Sequence, residues 1–557
     1  MLRFQLFSNI IQKKIILHRD IQYDNNAHKV TFTDSSDFEK DLVVVEVIQP
    51  QNLLTLVISG SISKLVPLES FKYIKTVEIQ SSEITEIPSF TFRNCNKLSK
   101  VNIHDGITKI GDFSFYNSSI SEIDLSHVQS IGSYSFYLCN NLNNINNINS
   151  VTTMSSYCFA FSGILNINIP QSITNIPSYA FFNCSNLETV RFGDALERIE
   201  DFAFSYTKIS SITLPNTIKI IDKAFSHTLI EELSIPSRCN SIKIISPIDS
   251  LKKLTINGES TEIRCINQPN LETVELPENF NPPQFFFTNC QKLKKITNTN
   301  YIGEIQYRCF YNCRSLTDFD ASSCQMFGGE CFKFCVNLES ITFRNEGQCF
   351  IEIDCFHGCI SLKSVSIPSS MIVRYAFTTT PARVDYGPFS YTGIESLQIP
   401  FQNLLYNFFS YMPKLKSVEI NSNSNPNSIS ISEFCFYKDY NLSKITIIGN
   451  EIESIGMYAF AYTSIESISV KYLNNIDKFA FYKSKLKTLT FSTFSDRFND
   501  ESVIYNSNYS GDFPEGVYNK KILTFYGCET LETIGCPTFF QHRPFLISVN
   551  LRNCIIK

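Results

Sequence analysis

The sequence predicts an elongated repeat solenoid, with a parallel β-sheet along its concave side and a ladder of phenylalanines inside. Three observations predict it. The stretch ITNIPSYAFFNCSNLETVRF at 173–192 carries an apolar pair (Ile173, Ile176), the triplet Tyr179-Ala180-Phe181, then Cys184 and Leu187-x-x-Val190-x-Phe192. The same template returns every 21 to 24 residues over long runs, about 20 times in all, and self-similarity at such a period marks a repeat architecture. Phenylalanine is abundant at 48 residues while tryptophan is absent, as expected if one ring fills one fixed slot in each repeat.

Each part of the template has a physical reading. Leu-x-x-Ile-x-Ile alternates apolar and polar residues, the pattern of a half-buried strand. Proline often follows at once, as at Pro170, Pro215, Pro236, Pro277, Pro368 and Pro400; it lacks an N–H and ends ladder pairing there. A turn follows, then a second apolar pair such as Ile107-x-x-Ile110-Gly111, then the phenylalanine. No repeat can bury its own apolar face, so neighbours must carry the stability. Some 20 rungs at about 4.8 Å each would make an arc on the order of 100 Å.

In chain order, residues 1–50 lack the repeat and are expected to form an N-terminal cap, with strands at 29–32 and 41–48. The solenoid is expected over 51–557. Its anchor phenylalanines are Phe92, Phe115, Phe136, Phe159, Phe181, Phe204 and Phe225, then Phe287, Phe310, Phe332, Phe356, Phe389, Phe409, Phe436, Phe460, Phe481, Phe525 and Phe540. Residues 226–286 keep the strand signal without the anchor. Polar, turn-rich inserts near 378–388, 421–428 and 495–520 are expected to loop out. Where leucine lies six residues after the anchor, the third position is usually Cys (Cys95, Cys139, Cys184, Cys290, Cys313, Cys335, Cys359, Cys528). Where it lies five after, that position is Ser or Thr (Ser118, Ser162, Thr207, Thr228, Thr392, Thr463, Ser484). A small thiol suits the longer connection, and a hydroxyl can bond the tightened backbone of the shorter one.

These units resemble BspA-like leucine-rich repeats, whose motif runs Ile-x-x-Ile-Gly-x-x-Ala-Phe-x-x-Cys-x-x-Leu-x-x-Ile-x-Ile-Pro. SITNIPSYAFFNCSNLETVRF and GITKIGDFSFYNSSISEIDL match it directly, and the likeness spans roughly 60–551. The resemblance implies a leucine-rich repeat solenoid and a surface antigen of adhesion type, contacting host proteins or glycoproteins. It also implies a cell-surface location. Against that, Lys13, Lys14, His18 and Arg19 interrupt the first apolar stretch, so no secretory signal is read, and no apolar run is long enough for a membrane span. A cytoplasmic scaffold for protein–protein interaction is the alternative.

Composition narrows the chemistry. A net charge of −5 lacks the basic footprint of a nucleic-acid binder. The pairs Cys309/Cys313, Cys331/Cys335 and Cys355/Cys359 have metal-like spacing, yet each is two repeat slots flanking an anchor, so they read as core thiols. The seven histidines are scattered; His357 beside Cys359 reads as a turn residue near a core thiol rather than a catalytic pair. No cofactor, metal or catalytic set is expected, and the chain is read as non-enzymatic.

The expected binding face is the outward row of the strands, formed by the second and third x of Leu-x-x-Ile-x-Ile. Its candidates are Lys100, Asn102, Glu122, Asp124, Thr189, Arg191, Glu232, Lys253, Glu275, Asp318, Asp320, Thr342, Ser366, Glu419, Thr446, Ser469 and Thr490. The row runs from charges through asparagines to hydroxyls and should form a broad, wet contact surface. Few residues follow Leu551, so an exposed C-terminal edge open to self-association is also expected.

Overall fold

The fold is taken from a computed structural model of the chain. The structure describes residues 21–24, 28–33, 54–68, 73–239, 241–243, 247–258, 262–264, 267–374, 386–400, 403–404, 406–421, 429–448, 451–477, 479–494, 533–535 and 555–556. It divides into two units, Met1–Arg264 and Cys265–Lys557. Among the described residues, one 3-10 turn at Thr299–Tyr301 is the only helix; the rest of the regular structure is strand.

In the first unit every regular turn has three sides. The first is the predicted strand. Thr55–Ile58, Thr76–Ile79, Lys100–Asn102, Glu122–Asp124 and Asn144–Asn146 pair successively in parallel. Asn166–Asn168 pairs with Thr189–Arg191, and Glu232–Ile235 with Lys253–Ile256. The central Val or Ile of each triplet points inward and its polar neighbours outward.

The second side follows that turn and carries the second apolar pair of the template. It is a second parallel sheet of very short strands. Glu86–Ile87, Lys109–Ile110, Ser130–Ile131 and Thr153–Met154 form one run. Asn175–Ile176, Arg198–Ile199, Ile220–Asp222, Ser241–Lys243 and Glu262–Arg264 form another. Ile173 and Ile176 of the template are both buried, but only Ile176 lies in the strand. Two residues are too few for periodicity to reveal. Gly111 marks how closely turns approach here: a Cβ would lie 2.5 Å from the Ser89 backbone nitrogen of the preceding turn.

The third side carries the anchor, and its backbone is neither helix nor strand. Tyr179 and Asn183, two residues before and after Phe181, both take left-handed φ values of 60° and 53°. The N–H groups of Tyr179, Phe181 and Asn183 donate to the carbonyls of Asp201, Ala203 and Ser205 in the next turn, at 3.0, 2.8 and 2.8 Å. Those of Ala180, Phe182 and Cys184 donate within the turn to Pro177, Tyr179 and Phe181, at 3.2, 3.1 and 3.2 Å. Alternate N–H groups therefore point along the stack and back into the turn, which satisfies a backbone that would otherwise be orphaned. A left-handed residue other than glycine costs about 1–2 kcal/mol, a cost the inter-turn bonds and ring packing must offset.

The anchors form the core of this unit. Rings of Phe92, Phe115, Phe136, Phe159, Phe181, Phe204 and Phe225 stack at centroid spacings of 5.0, 5.0, 5.2, 5.4, 5.2 and 5.8 Å. At the N-terminal side, Lys29–Phe32 pairs in parallel with Thr55–Ile58 and antiparallel with Ile21–Asp24. The described part of the expected cap is thus a rung of the same sheet with a hairpin strand outside it. The expected strand at 41–48 lies outside the described residues.

The second unit repeats the plan. First-side pairs are Thr273–Glu275 with Lys295–Thr297, Asp318–Ala321 with Ser340–Phe343, and Ser396–Ile399 with Ser417–Asn421 and Lys444–Ile448. Second-side strands run Glu304–Ile305, Met326–Phe327, Cys349–Glu352 and Met371–Arg374. The ten-residue strand Ser467–Ile476 runs through both sides. It pairs with Glu451–Ile455 and with Thr488–Phe494, followed by Thr533–Gly535 and Ile555–Ile556. Its anchors, Phe287, Phe310, Phe332, Phe356, Phe389, Phe409, Phe436, Phe460 and Phe481, stack at 5.3, 5.1, 5.3, 5.3, 6.0, 5.8, 5.4 and 5.7 Å. Phe525, Phe540, the insert at 495–520, and residues 378–385 and 422–428 of the other two inserts lie outside the described residues.

One strand expectation needs correction. Ser366 is exposed, but residues 363–367 form no strand. The next first-side strand in the chain, Ser396–Ile399, comes after the long spacing between Phe356 and Phe389 and pairs instead with Ser417–Asn421.

The alternation of Cys with Ser or Thr after the anchor has a direct cause. Several thiols donate to the anchor carbonyl of the preceding turn: Cys139 to Phe115 and Cys184 to Phe159 at 3.0 Å, Cys313 to Phe287 and Cys335 to Phe310 at 3.1 Å, while Cys95 donates to the Leu68 carbonyl at 3.4 Å. Each threonine hydroxyl donates to the anchor of its own turn, as Thr207 to Phe204 and Thr392 to Phe389 do at 2.8 Å. Asp439 takes the slot after Phe436. It is fully buried, Oδ1 accepts the Met412 N–H at 2.6 Å, and Oδ2 has no hydrogen-bond partner. Burial pushes its carboxyl well above the usual carboxylate range.

Candidate interaction surface

The outward residues of the first side are ordered by strand register. In the first unit Lys100 faces Glu122 and bridges to it at 3.1 Å. Asn102 and Asp124 are exposed beside them, and Asp124 Oδ1 also accepts the Ser126 N–H at 3.0 Å. Thr189 donates its hydroxyl to Asn166, and Arg191 lies opposite Asn168. Glu232 is paired in register with Lys253. The register thus brings together residues 21 to 23 apart in sequence as directly facing side chains.

In the second unit Glu275 is half-buried and faces Thr297. Asp318 and Asp320 are exposed opposite Ser340 and Thr342. Glu419 lies between Gln398 and Thr446, and Ser469 faces Thr490. Of the predicted candidates, all but Ser366 sit on strands of this side. Along its margin run ion pairs one turn apart: Glu231–Lys252 at 2.8 Å in the first unit, and Glu272–Lys294 at 3.2 Å, Glu395–Lys416 at 2.7 Å and Glu466–Lys487 at 3.1 Å in the second. Exposed pairs of this kind contribute about 0–1 kcal/mol each. They set surface pattern more than stability.

Sequence reasoning missed the aromatic covering of the anchor side. In the first unit, Phe90, Phe113, Tyr134, Tyr157, Tyr179 and Phe202 lie two residues before successive anchors. They stack at 5.3, 4.8, 4.6, 4.5 and 5.3 Å. Neighbouring rings crowd them: Tyr137 meets Tyr134 at 5.4 Å, and Phe182 meets Tyr179 at 5.3 Å. Desolvation pushes the Tyr137 and Tyr157 phenols up, helped by neighbouring tyrosines. The signal lies in triplets such as Tyr179-Ala180-Phe181, in which the sequence marks the second ring as the anchor and leaves the role of the first unspecified.

On the same side of the second unit, charged groups replace several rings. Arg308 bridges Glu330 at 2.6 Å, Lys333 bridges Asp354 at 2.9 Å, and His357 Nδ1 meets Asp354 at 2.9 Å. This half-buried network fixes His357 against a carboxylate while the Cys359 thiol is turned inward to the Phe332 carbonyl at 3.2 Å. The two are not a nucleophile–base pair. The described cysteines are all buried, free thiols; Cys331 and Cys355 approach to 3.0 Å between sulfurs. Among the described residues no three His, Cys, Asp or Glu side chains gather as a metal site, and no helix is long and apolar enough to cross a membrane.

Comparison with known proteins agrees with this architecture. Residues 66–188, 152–266, 264–383, 382–510 and 429–551 match the profile of the BspA type leucine rich repeat region (6 copies). A leucine-rich repeat protein from Bacteroides ovatus is 19% identical, aligned over 77% of this chain and 98% of its own, with a TM-score of 0.42. A leucine rich cell surface protein from Faecalibacterium prausnitzii is 20% identical over 78% of this chain and 94% of its own, with a TM-score of 0.30. The pneumococcal vaccine antigen PcpA is 14% identical over 86% and 93%, with a TM-score of 0.19. No curated protein matches. Matched along most of its length by this profile, with one anchor ring and two short strands in each regular turn, the chain belongs to the BspA-type leucine-rich repeat family.

Proposed function

We propose that this repeat protein is a non-enzymatic recognition protein, displayed at a cell surface as an adhesion-type antigen, that contacts a protein or glycoprotein through the outward row of its first side. The observation that carries the reading is the register: polar side chains such as Lys100/Glu122, Thr189/Asn166 and Asp320/Thr342 are held opposite one another on adjacent rungs. A rigid array of this kind lowers the ordering cost of binding, and its polar character suits a wet contact.

Two measurements test it. Labelling of intact cells with a membrane-impermeant reagent should modify the protein; absence of labelling beside a labelled surface control sinks the display reading. Binding of the full chain to a panel of purified extracellular glycoproteins should fall in the variant Lys100→Ala/Glu122→Ala/Arg191→Ala. Equal binding by that variant and wild type would remove the first side from the contact. An intracellular scaffold is the second reading. It is favoured by one observation, that every described cysteine is a free thiol, the state kept by a reducing compartment.

A further inference from the structure

The anchor side of the second unit carries a second kind of surface. Two residues after the successive anchors Phe389, Phe409, Phe436, Phe460 and Phe481 stand Tyr391, Tyr411, Lys438, Tyr462 and Lys483. Lys438 Nζ lies 5.2, 5.1 and 5.9 Å from the ring centres of Tyr411, Tyr437 and Tyr462. Lys483 Nζ lies 5.5 and 5.2 Å from those of Tyr462 and Tyr482. Phenol rings therefore flank each ammonium both along the stack and across it.

The positions of these groups are rigidly set. Tyr411, Lys438, Tyr462 and Lys483 all have left-handed φ, from 51° to 62°. The N–H groups of Tyr411, Lys438 and Tyr462 donate to the next turn at 2.8, 3.0 and 2.9 Å. Beneath them Phe434, Tyr458 and Phe479 form a stacked floor at 5.2 and 5.0 Å. Lys438 and Lys483 are two rungs apart, which at about 4.8 Å per rung separates them by roughly 10 Å.

The charge here is uncompensated. Neither lysine pairs with a carboxylate among the described residues, whereas Lys294, Lys333, Lys416 and Lys487 of the same unit each do. Asp439, next to Lys438 in sequence, is turned into the core and bonded to the Met412 N–H. An ammonium has three donors; Lys483 shares its own with the Tyr462 and Tyr482 side chains, and the donors that remain on it and on Lys438 face outward to an anion.

We infer that the Lys438–Lys483 face, with Tyr411, Tyr437, Tyr462 and Tyr482, binds a sulfated linear polysaccharide. Each lysine takes one sulfate, and tyrosine hydroxyls and ring edges meet the sugars between. A separation of roughly 10 Å lets the two lysines reach sulfates on neighbouring sugar units of one linear chain. Phosphates on a nucleic-acid strand recur every 3.4 Å or so along the axis of a duplex, a closer charge spacing. Base stacking also needs open ring faces. Here Tyr411–Tyr437, Tyr437–Tyr462 and Tyr462–Tyr482 meet edge to face at 77°, 86° and 81°, and the lysines cover the faces that remain. This site lies on a different side of the turns from the strand row, so it stands or falls separately from the protein contact proposed above.

The test is binding of the full chain to immobilised heparin at low salt, followed by a salt titration. Wild type should bind with an affinity that falls as salt rises, and should not bind fully desulfated heparin. Lys438→Ala/Lys483→Ala should weaken binding by at least about tenfold, as expected for losing two charge-assisted contacts. Lys438→Arg/Lys483→Arg should retain it, and Lys294→Ala should leave it unchanged. No binding by wild type, or equal binding by the double alanine variant, overturns the proposal. Stronger competition by oligo(dT) than by soluble heparin would assign the face to single-stranded nucleic acid instead.

Discussion

Replacing Phe181 by alanine isolates what the phenylalanine ladder contributes. The ring is fully buried and stacks on Phe159 at 5.4 Å and on Phe204 at 5.2 Å, nearly parallel to both. Truncating a buried phenylalanine costs about 3–5 kcal/mol through lost transfer energy and the cavity left behind. About 0.5–1.5 kcal/mol of stacking per ring pair falls within that total. In a repeat stack each unit contacts only its neighbours, so the cost should stay local. The amides of Phe159 and Phe181 donate to Ala180 and Ala203 across turn boundaries, and hydrogen exchange at these groups reports opening there. At about 1.4 kcal/mol per tenfold change, their exchange should speed up by roughly two to three and a half orders of magnitude. The amides of Phe92 and Phe115 should hold within about threefold, since local unfolding is confined to contiguous units. A uniform acceleration along the first unit, or a change worth less than about 1 kcal/mol at Phe181 itself, would refute a locally supported ladder.

Three further outcomes follow from buried groups. Asp439→Asn should be more stable than wild type at pH 8, with the difference closing toward pH 4 in paired denaturation curves. The folded carboxyl is raised by burial, so its contribution is full below the unfolded value of about 3.9 and is lost as pH rises toward the folded one. Thr207→Val should cost about 1 kcal/mol in chemical denaturation, because the isosteric methyl removes the 2.8 Å donor to the Phe204 carbonyl without opening a cavity. Native alkylation at pH 8 should spare Cys184 and Cys139, whose thiols burial pushes up to about 11 and about 12. Mass spectrometry should find both modified only once denaturant is present, and rapid native modification would contradict their core position.

How much was legible depended on how many residues expressed each feature. The anchor column was legible because each ring recurs once per turn in a slot that admits little else, and Phe181 and its counterparts occupy it. The first-side strands were legible where three or more residues alternate, as in Glu232–Ile235. The second sheet was not, because strands such as Asn175–Ile176 contain two residues. Sixteen of the seventeen candidate side chains lie on first-side strands, as alternation alone suggests, and Ser366 does not: residues 363–367 form no ladder even though the next turn stacks on them and its Glu395 N–H donates to the Lys363 carbonyl at 3.4 Å. The aromatic column through Tyr134, Tyr157 and Tyr179 escaped because nothing in sequence says that a residue two before a buried ring faces outward.

The sequence by itself determined the repeat, the family, the anchor ladder and the core role of the cysteines, since each is a one-dimensional period in residue type. Tertiary structure alone decided which residues meet. Stacking turns one rung apart places Lys438 between Tyr411 and Tyr462, and Lys100 against Glu122. It also turns Asp439 inward while the adjacent Lys438 is turned outward. The physical reason is that the period fixes the pitch, while the left-handed residues flanking each anchor decide on which side of the backbone every neighbouring side chain leaves.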